Sequence, residues 1–143
     1  MGKDNQKIFF HSEDVSFKLT NSSSISQWIK TAISLEKKEL GDLNFVFCSD
    51  QYLLKLNQDY LNHDTFTDII TFNYVTGPII SGDIFISTER VQENAKESSI
   101  PFLNELSRVI IHGVLHLIGY NDKTNAEAQE IRAKEDFYLT LQP

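Results

Sequence analysis

The sequence predicts an α+β fold, a single small mixed sheet, partly antiparallel, packed with helices. Three observations carry that expectation. Strand-like and helix-like segments intermix along the chain without a regular βαβ repeat. Two of the strand-like segments flank the turn Thr76-Gly77-Pro78 and pair naturally as antiparallel neighbours. One segment, Phe102 to Ile118, is apolar almost all round at helical spacing, which is the pattern of a buried helix. With 143 residues, 41% of them hydrophobic, residues 1–143 read as one domain with a real core.

The elements follow in order. Ile8 to Phe10 and Val15 to Leu19 are short strand candidates. Ser24 reads as the N-cap of a helix that carries Ile25, Trp28, Ile29, Ala32 and Ile33 on one face. Gly41 stands where a helix-ending glycine belongs. Leu43 to Cys48, rich in β-formers, is a strand. Ser49 opens a helix with Leu53, Leu56 and Tyr60 at helical spacing. Thr67 to Tyr74 and Gly82 to Ser87 are the two strands around the turn. A helix runs from about Thr88 to Ser98, and Pro101 punctuates before the long helix over Phe102 to Ile118. Thr124 to Glu127, "TNAE", fits a capping box that starts a last helix ending near Leu141.

Composition narrows the function classes. No apolar run approaches the roughly 20 residues that cross a bilayer, and the start "MGKDNQKIFF" has neither a secretory h-region nor a myristoylation motif. No membrane partner is expected, and the cytoplasm is the expected compartment. Cys48 is the sole cysteine, so neither an internal disulfide nor a cysteine metal site can form. The net charge of −7, with scattered Lys and Arg, opposes non-specific nucleic-acid binding. An RNA substrate would need a local patch, a metal ion or a larger assembly.

Chemistry concentrates in "HGVLHLIGYND", His112 to Asp122. Arg108, His112 and His116 are spaced i, i+4, i+8 and form one polar stripe on the apolar helix. Two histidines one turn apart can aim ring nitrogens at one cation, at bonds of about 2.0–2.1 Å. Gly119 is placed to end the helix in a left-handed turn, which swings Asp122 back as a carboxylate ligand. A lone histidine on such a face usually bonds a carbonyl. Two of them with a following glycine and acid are a rarer coincidence, and a divalent metal held by His112, His116 and Asp122 explains the set better. The spacing matches metzincin-type proteases except that Gly113 stands where those carry the Glu general base. That loss counts against peptide hydrolysis and leaves the less demanding cleavage of an RNA phosphodiester. Gly113 also lets another backbone or a substrate come close.

On these residues the sequence resembles the YbeY family of metal-dependent single-strand endoribonucleases, whose signature is H-G-x-L-H-L-x-G-Y-D-H. His112, Gly113, Leu115, His116, Leu117, Gly119 and Tyr120 match, Asn121 replaces the usual Asp, and Asp122 falls on the third metal-binding histidine. "LNQDYLNHDTFTDIITFNY", Leu56 to Tyr74, resembles a second family segment, and "SGDIFIS" a third. The resemblance implies a zincin-like fold whose central helix binds metal, with one zinc ion per chain. It also implies cleavage of single-stranded ribosomal RNA in its maturation and quality control, with the small ribosomal subunit as partner. Leu61 stands where the family carries an arginine thought to act in catalysis or phosphate binding. His63 is either a partial substitute or a solvated loop histidine.

Other residues stay open at this level. Asp68 and Asp83 either point toward the site or cap turns. Arg108 either orients a phosphate or pairs with Glu105, and Tyr120 either stacks a base or packs the helix end. Two rivals remain as well. Two histidines and a carboxylate also describe a non-haem iron triad. A ribosome-associated assembly factor with a structural metal would need no cleavage.

Overall fold

The structure, a computed structural model, describes residues 7–61 and 67–142. His63 lies outside the described residues. The elements are β1 (Ile8–Ser12), α1 (Ser22–Leu35), β2 (Glu39–Cys48), α2 (Asp50–Leu61), β3 (Ile69–Asn73), β4 (Ile79–Ser87), α3 (Thr88–Glu97), α4 (Phe102–Ile118) and α5 (Asn125–Leu139). The sheet order is β1-β2-β4-β3. β2 runs parallel to β1 and β4, while β3 is antiparallel to β4, with Thr71 opposite Ile84. The sheet is therefore mixed, with its antiparallel pair at one edge, as expected of the α+β class.

Strand alternation splits the apolar residues between two faces. Phe45, Phe47, Ile84 and Ile86 face α1 and α4, where they join Ile29, Ile33, Ile110 and Val114 in the main core. Their neighbours Cys48, Phe85, Ile70 and Phe72 face the other way and are covered by Leu53, Tyr52 and Leu56 of α2. Among the described residues no helix is long and apolar enough to cross a membrane.

Several elements start and stop for the expected reasons. Ser49 caps α2, its hydroxyl accepting the Tyr52 N–H at 3.1 Å. Thr124 and Glu127 form the reciprocal capping box of α5, and Thr76 and Ile79 exchange both backbone hydrogen bonds around the turn. α4 has the predicted bounds, whereas β3 is shorter than Thr67 to Tyr74 and α5 stops at Leu139.

Three expectations are corrected. Val15 to Leu19 is not a strand. Pairing of the edge strand β1 ends at Ser12, and the chain then crosses the end of the core. Phe17 there sets its ring edge-on to Phe47 and Phe102, so the alternation records burial rather than a ladder. α1 begins at Ser22 after Asn21, ahead of Ser24. Its end is made by Lys37 in the left-handed region (φ 61°), with Lys38 N–H donating to Ile33 O. Gly41 instead lies inside β2, at a register shift between Leu40 and Leu43. A Cβ on it would stand 2.0 Å from Ser81 Oγ on β4.

The core also gives Cys48 a testable character. It is fully buried, and burial pushes its thiol up to about 12. The folded protein is expected to leave an aromatic disulfide reagent unreacted at pH 8, and to release one thiol equivalent per chain in denaturant. Fast stoichiometric labelling without denaturant would contradict this packing.

Candidate metal centre

The centre grows out of α4. Its apolar surface, including Val109, Ile110, Ile111, Val114 and Leu115, is buried. Gly113 meets Ile69 and Ile84 of the sheet. The close approach anticipated at Gly113 is thus made by the protein's own core, and no substrate reaches it there. Arg108, His112 and His116 lie along the half-buried stripe.

Gly119 ends the helix with φ 128°. Its N–H bonds His116 O at 3.1 Å, and the Tyr120 N–H bonds Leu115 O at 3.0 Å, the paired pattern of a Schellman turn. That turn places Asp122 beside the stripe. Asp122 Oδ2 stands 3.5 Å from His112 Nε2 and 3.4 Å from His116 Nε2, and the two Nε2 atoms are 2.9 Å apart. Bonds of about 2.0–2.1 Å to a tetrahedral ion put neighbouring ligand atoms about 3.3–3.4 Å apart. The two Asp122 separations suit such an ion, and the two rings stand closer together than that.

The back sides of the rings decide which atoms face inward. His112 Nδ1 lies 2.5 Å from Glu135 Oε2, and His116 Nδ1 lies 2.9 Å from the carbonyl of Tyr120. Both partners accept only, so each Nδ1 carries a proton and donates it. In neutral rings both Nε2 atoms then present lone pairs to each other and to a carboxylate oxygen. Three acceptors converging on one point repel unless a cation joins them, so the donor set fits a divalent metal. Burial disfavours the charged form of His112, but the hydrogen bond and charge of Glu135 outweigh burial and raise it above the usual imidazole value.

Glu135 was invisible in the motif. It is buried on α5 in line with Ile131 and Tyr138, and an acid on an apolar helix face was the available signal. Burial raises its carboxyl, yet the hydrogen bonds from His112 and Arg108 prevail and hold it below the ordinary range. Arg108 Nη1 reaches Glu135 Oε1 at 2.8 Å and Nη2 reaches Asp136 at 2.8 Å. Of the two readings left open for Arg108, a phosphate contact or an ion pair with Glu105, the structure shows an ion pair, but with α5 in place of Glu105.

Beside the centre lies a cleft of about 600 Å³, lined by Asp68, Glu105, Arg108, His112, Asp122 and Arg132 among others. Asp68 does point toward it, and burial raises its carboxyl despite the opposing charge of His112. Asp83 does not. It sits on the opposite sheet face, where Asn44 Nδ2 donates to it at 3.2 Å. Tyr120 is occupied by packing: its hydroxyl donates to Glu36 at 2.8 Å, and Lys134 lies over its ring.

Comparison with known proteins identifies the family. The family model described as endoribonuclease YbeY matches residues 7–141. The endoribonuclease YbeY of Flavobacterium johnsoniae is 50% identical over 128 residues, covering 90% of this chain and 92% of that protein. The one from Amoebophilus asiaticus is 50% identical over 133 residues, covering 92% and 90%. The solution structure of TM1509 from Thermotoga maritima superposes with a TM-score of 0.64 at 26% identity, covering 92% of this chain and 86% of that one. With the match running from β1 through α5 and across the histidine stripe, the chain belongs to the endoribonuclease YbeY family.

Proposed function

We propose that this protein is a metal-dependent endoribonuclease that cuts single-stranded RNA, with ribosomal RNA in its maturation as the substrate and the small ribosomal subunit as the partner. His112, His116 and Asp122 hold one divalent ion per chain, zinc by the nitrogen-rich character of the set. The observation that carries the reading is the convergence of three lone-pair-bearing atoms beside an open cleft. When bound, such an ion supplies Lewis-acid stabilisation of phosphate charge and activates water.

The chain's own residues set the stage for that chemistry. The two rings are fixed on a buried helix and oriented from behind by Glu135 and the Tyr120 carbonyl. Asp122 is 44% exposed, so the centre opens to solvent on that side. A metal that served only to hold the fold would be closed by a fourth protein ligand. Among the described residues only these three cluster as ligands, which favours catalysis over an assembly factor with a structural ion. Arg132, 63% exposed at the cleft, offers a positive charge to a phosphate on a chain that is otherwise acidic.

The test is cleavage of a labelled single-stranded RNA by protein purified without added metal, before and after chelation. Activity is expected to vanish with the chelator and to return on adding about one equivalent of zinc. Cleavage that persists once the metal is gone would refute the reading, and return with ferrous iron alone would reassign the ion.

A further inference from the structure

We infer that Glu135, itself held by Arg108, is a positioning residue that fixes His112 as an Nε2 ligand and thereby sets how tightly the centre holds its ion. The inference rests on the proposed metal site and goes one layer behind it.

Glu135 is a carboxylate with only 4% of its side chain exposed. A buried charge persists only where partners compensate it, and here its two oxygens are divided between different tasks. Oε2 accepts from His112 Nδ1 at 2.5 Å. Oε1 accepts from Arg108 at 2.8 Å and from Arg132 at 3.4 Å. Arg108 also bonds Asp136, so the guanidinium spans α4 and α5 and cannot swing away without breaking both contacts. The carboxylate is thus clamped in one orientation, and the ring it touches has one tautomer available.

The two histidines are supported unequally. His116 rests on a main-chain carbonyl from its own turn, whereas His112 rests on a full negative charge from another helix. An anionic acceptor on Nδ1–H raises the electron density at Nε2 and makes that ring the stronger donor to a cation. Asp122 is half-exposed and reaches the centre from a turn. The Arg108–Glu135–His112 line therefore supplies the rigidity that the third ligand lacks. It also accounts for the arginine one turn before His112, which backs the ligand through Glu135.

The test is Glu135→Gln in the full chain, which keeps the shape and one of the two acceptor atoms while removing the charge. Zinc affinity is read by competition with a chromophoric chelator, and the fold by the melting temperature of metal-free protein. Zinc affinity is expected to fall about tenfold to a hundredfold while the metal-free melting temperature moves by only a few degrees. A folded variant that binds zinc within twofold of the parent overturns the inference, and a parent that binds no zinc overturns the metal reading itself. Should the variant not fold, nitrogen-proton correlation spectra of the zinc-loaded parent decide. His112 is expected to keep its proton on Nδ1, and finding Nδ1 as the metal-bound nitrogen overturns the inference.

Discussion

Replacing His116 with alanine is expected to remove stoichiometric metal and RNA cleavage together. The imidazole contributes one of three inward atoms, at 2.9 Å from His112 Nε2 and 3.4 Å from Asp122 Oδ2. Without it a nitrogen and one half-exposed carboxylate remain, too few ligands to hold a divalent ion against water. Lewis-acid catalysis is worth several kcal/mol, so a loss of about a thousandfold or more in rate follows. The fold should survive, because the ring is half-buried and, apart from its inward contacts within the site, it bonds the Tyr120 carbonyl at the helix end. Asp122→Ala is expected to lower metal content less steeply, since water can take the place of a ligand at that solvent-facing position. Metal-to-protein ratios from elemental analysis, read beside cleavage of a single-stranded oligonucleotide, check both. A His116→Ala protein that keeps one ion per chain and full activity would sink the site.

The second large effect belongs to Gly113. A Cβ there would lie 2.9 Å from Ile69 Cδ1 and 3.1 Å from Ile84 Cγ2. Alanine is expected to cost about 1–3 kcal/mol. Ile69 Cδ1 is a movable side-chain end, whereas Ile84 Cγ2 sits on the branched Cβ of a buried strand residue and must be accommodated by a small shift of the helix. Glutamate, the residue a metzincin carries at this position, should prevent stable folding. Its carboxylate would be driven between α4 and the sheet, against apolar side chains that cannot compensate the charge, at a cost comparable to the whole stability of a small domain. The protease base is thus excluded by helix-on-sheet packing, and adding it cannot convert the site. Urea denaturation of the alanine variant and the soluble yield of the glutamate variant measure the two. A glutamate variant as stable as the parent would mean that α4 can roll away from β3 and β4.

Much of this was legible in local pattern. The periodicity of Phe102 to Ile118 set α4 to the residue, the capping residues Ser49 and Thr124 opened their helices as expected, and the spacing of His112, His116, Gly119 and Asp122 foretold a convergence that the Schellman turn carries out. The misreadings share one cause. Alternation at Val15 to Leu19 and a glycine at position 41 have two meanings each, and the choice depends on what lies across in space. Phe17 alternates because it dips onto Phe47, and Gly41 is small because Ser81 of another strand needs the room.

The same division holds at the centre. Sequence alone determined that the three candidate ligands meet, because two rings at i and i+4 on a helix and an acid just past its glycine stop are near neighbours by the geometry of a single chain turn. Tertiary structure decided the outer layer. Glu135 is 23 residues from His112 along the chain, and only the packing of α5 on α4 turns a buried acid into the group that orients a ring. Asp68 and Asp83 looked alike in their strands and were separated by the sheet, which turns one toward the cleft and the other to its far face. Local spacing can specify contacts within a helical turn. It carries no information on which distant helix will cover a charge, because that depends on how the apolar faces of separate elements meet.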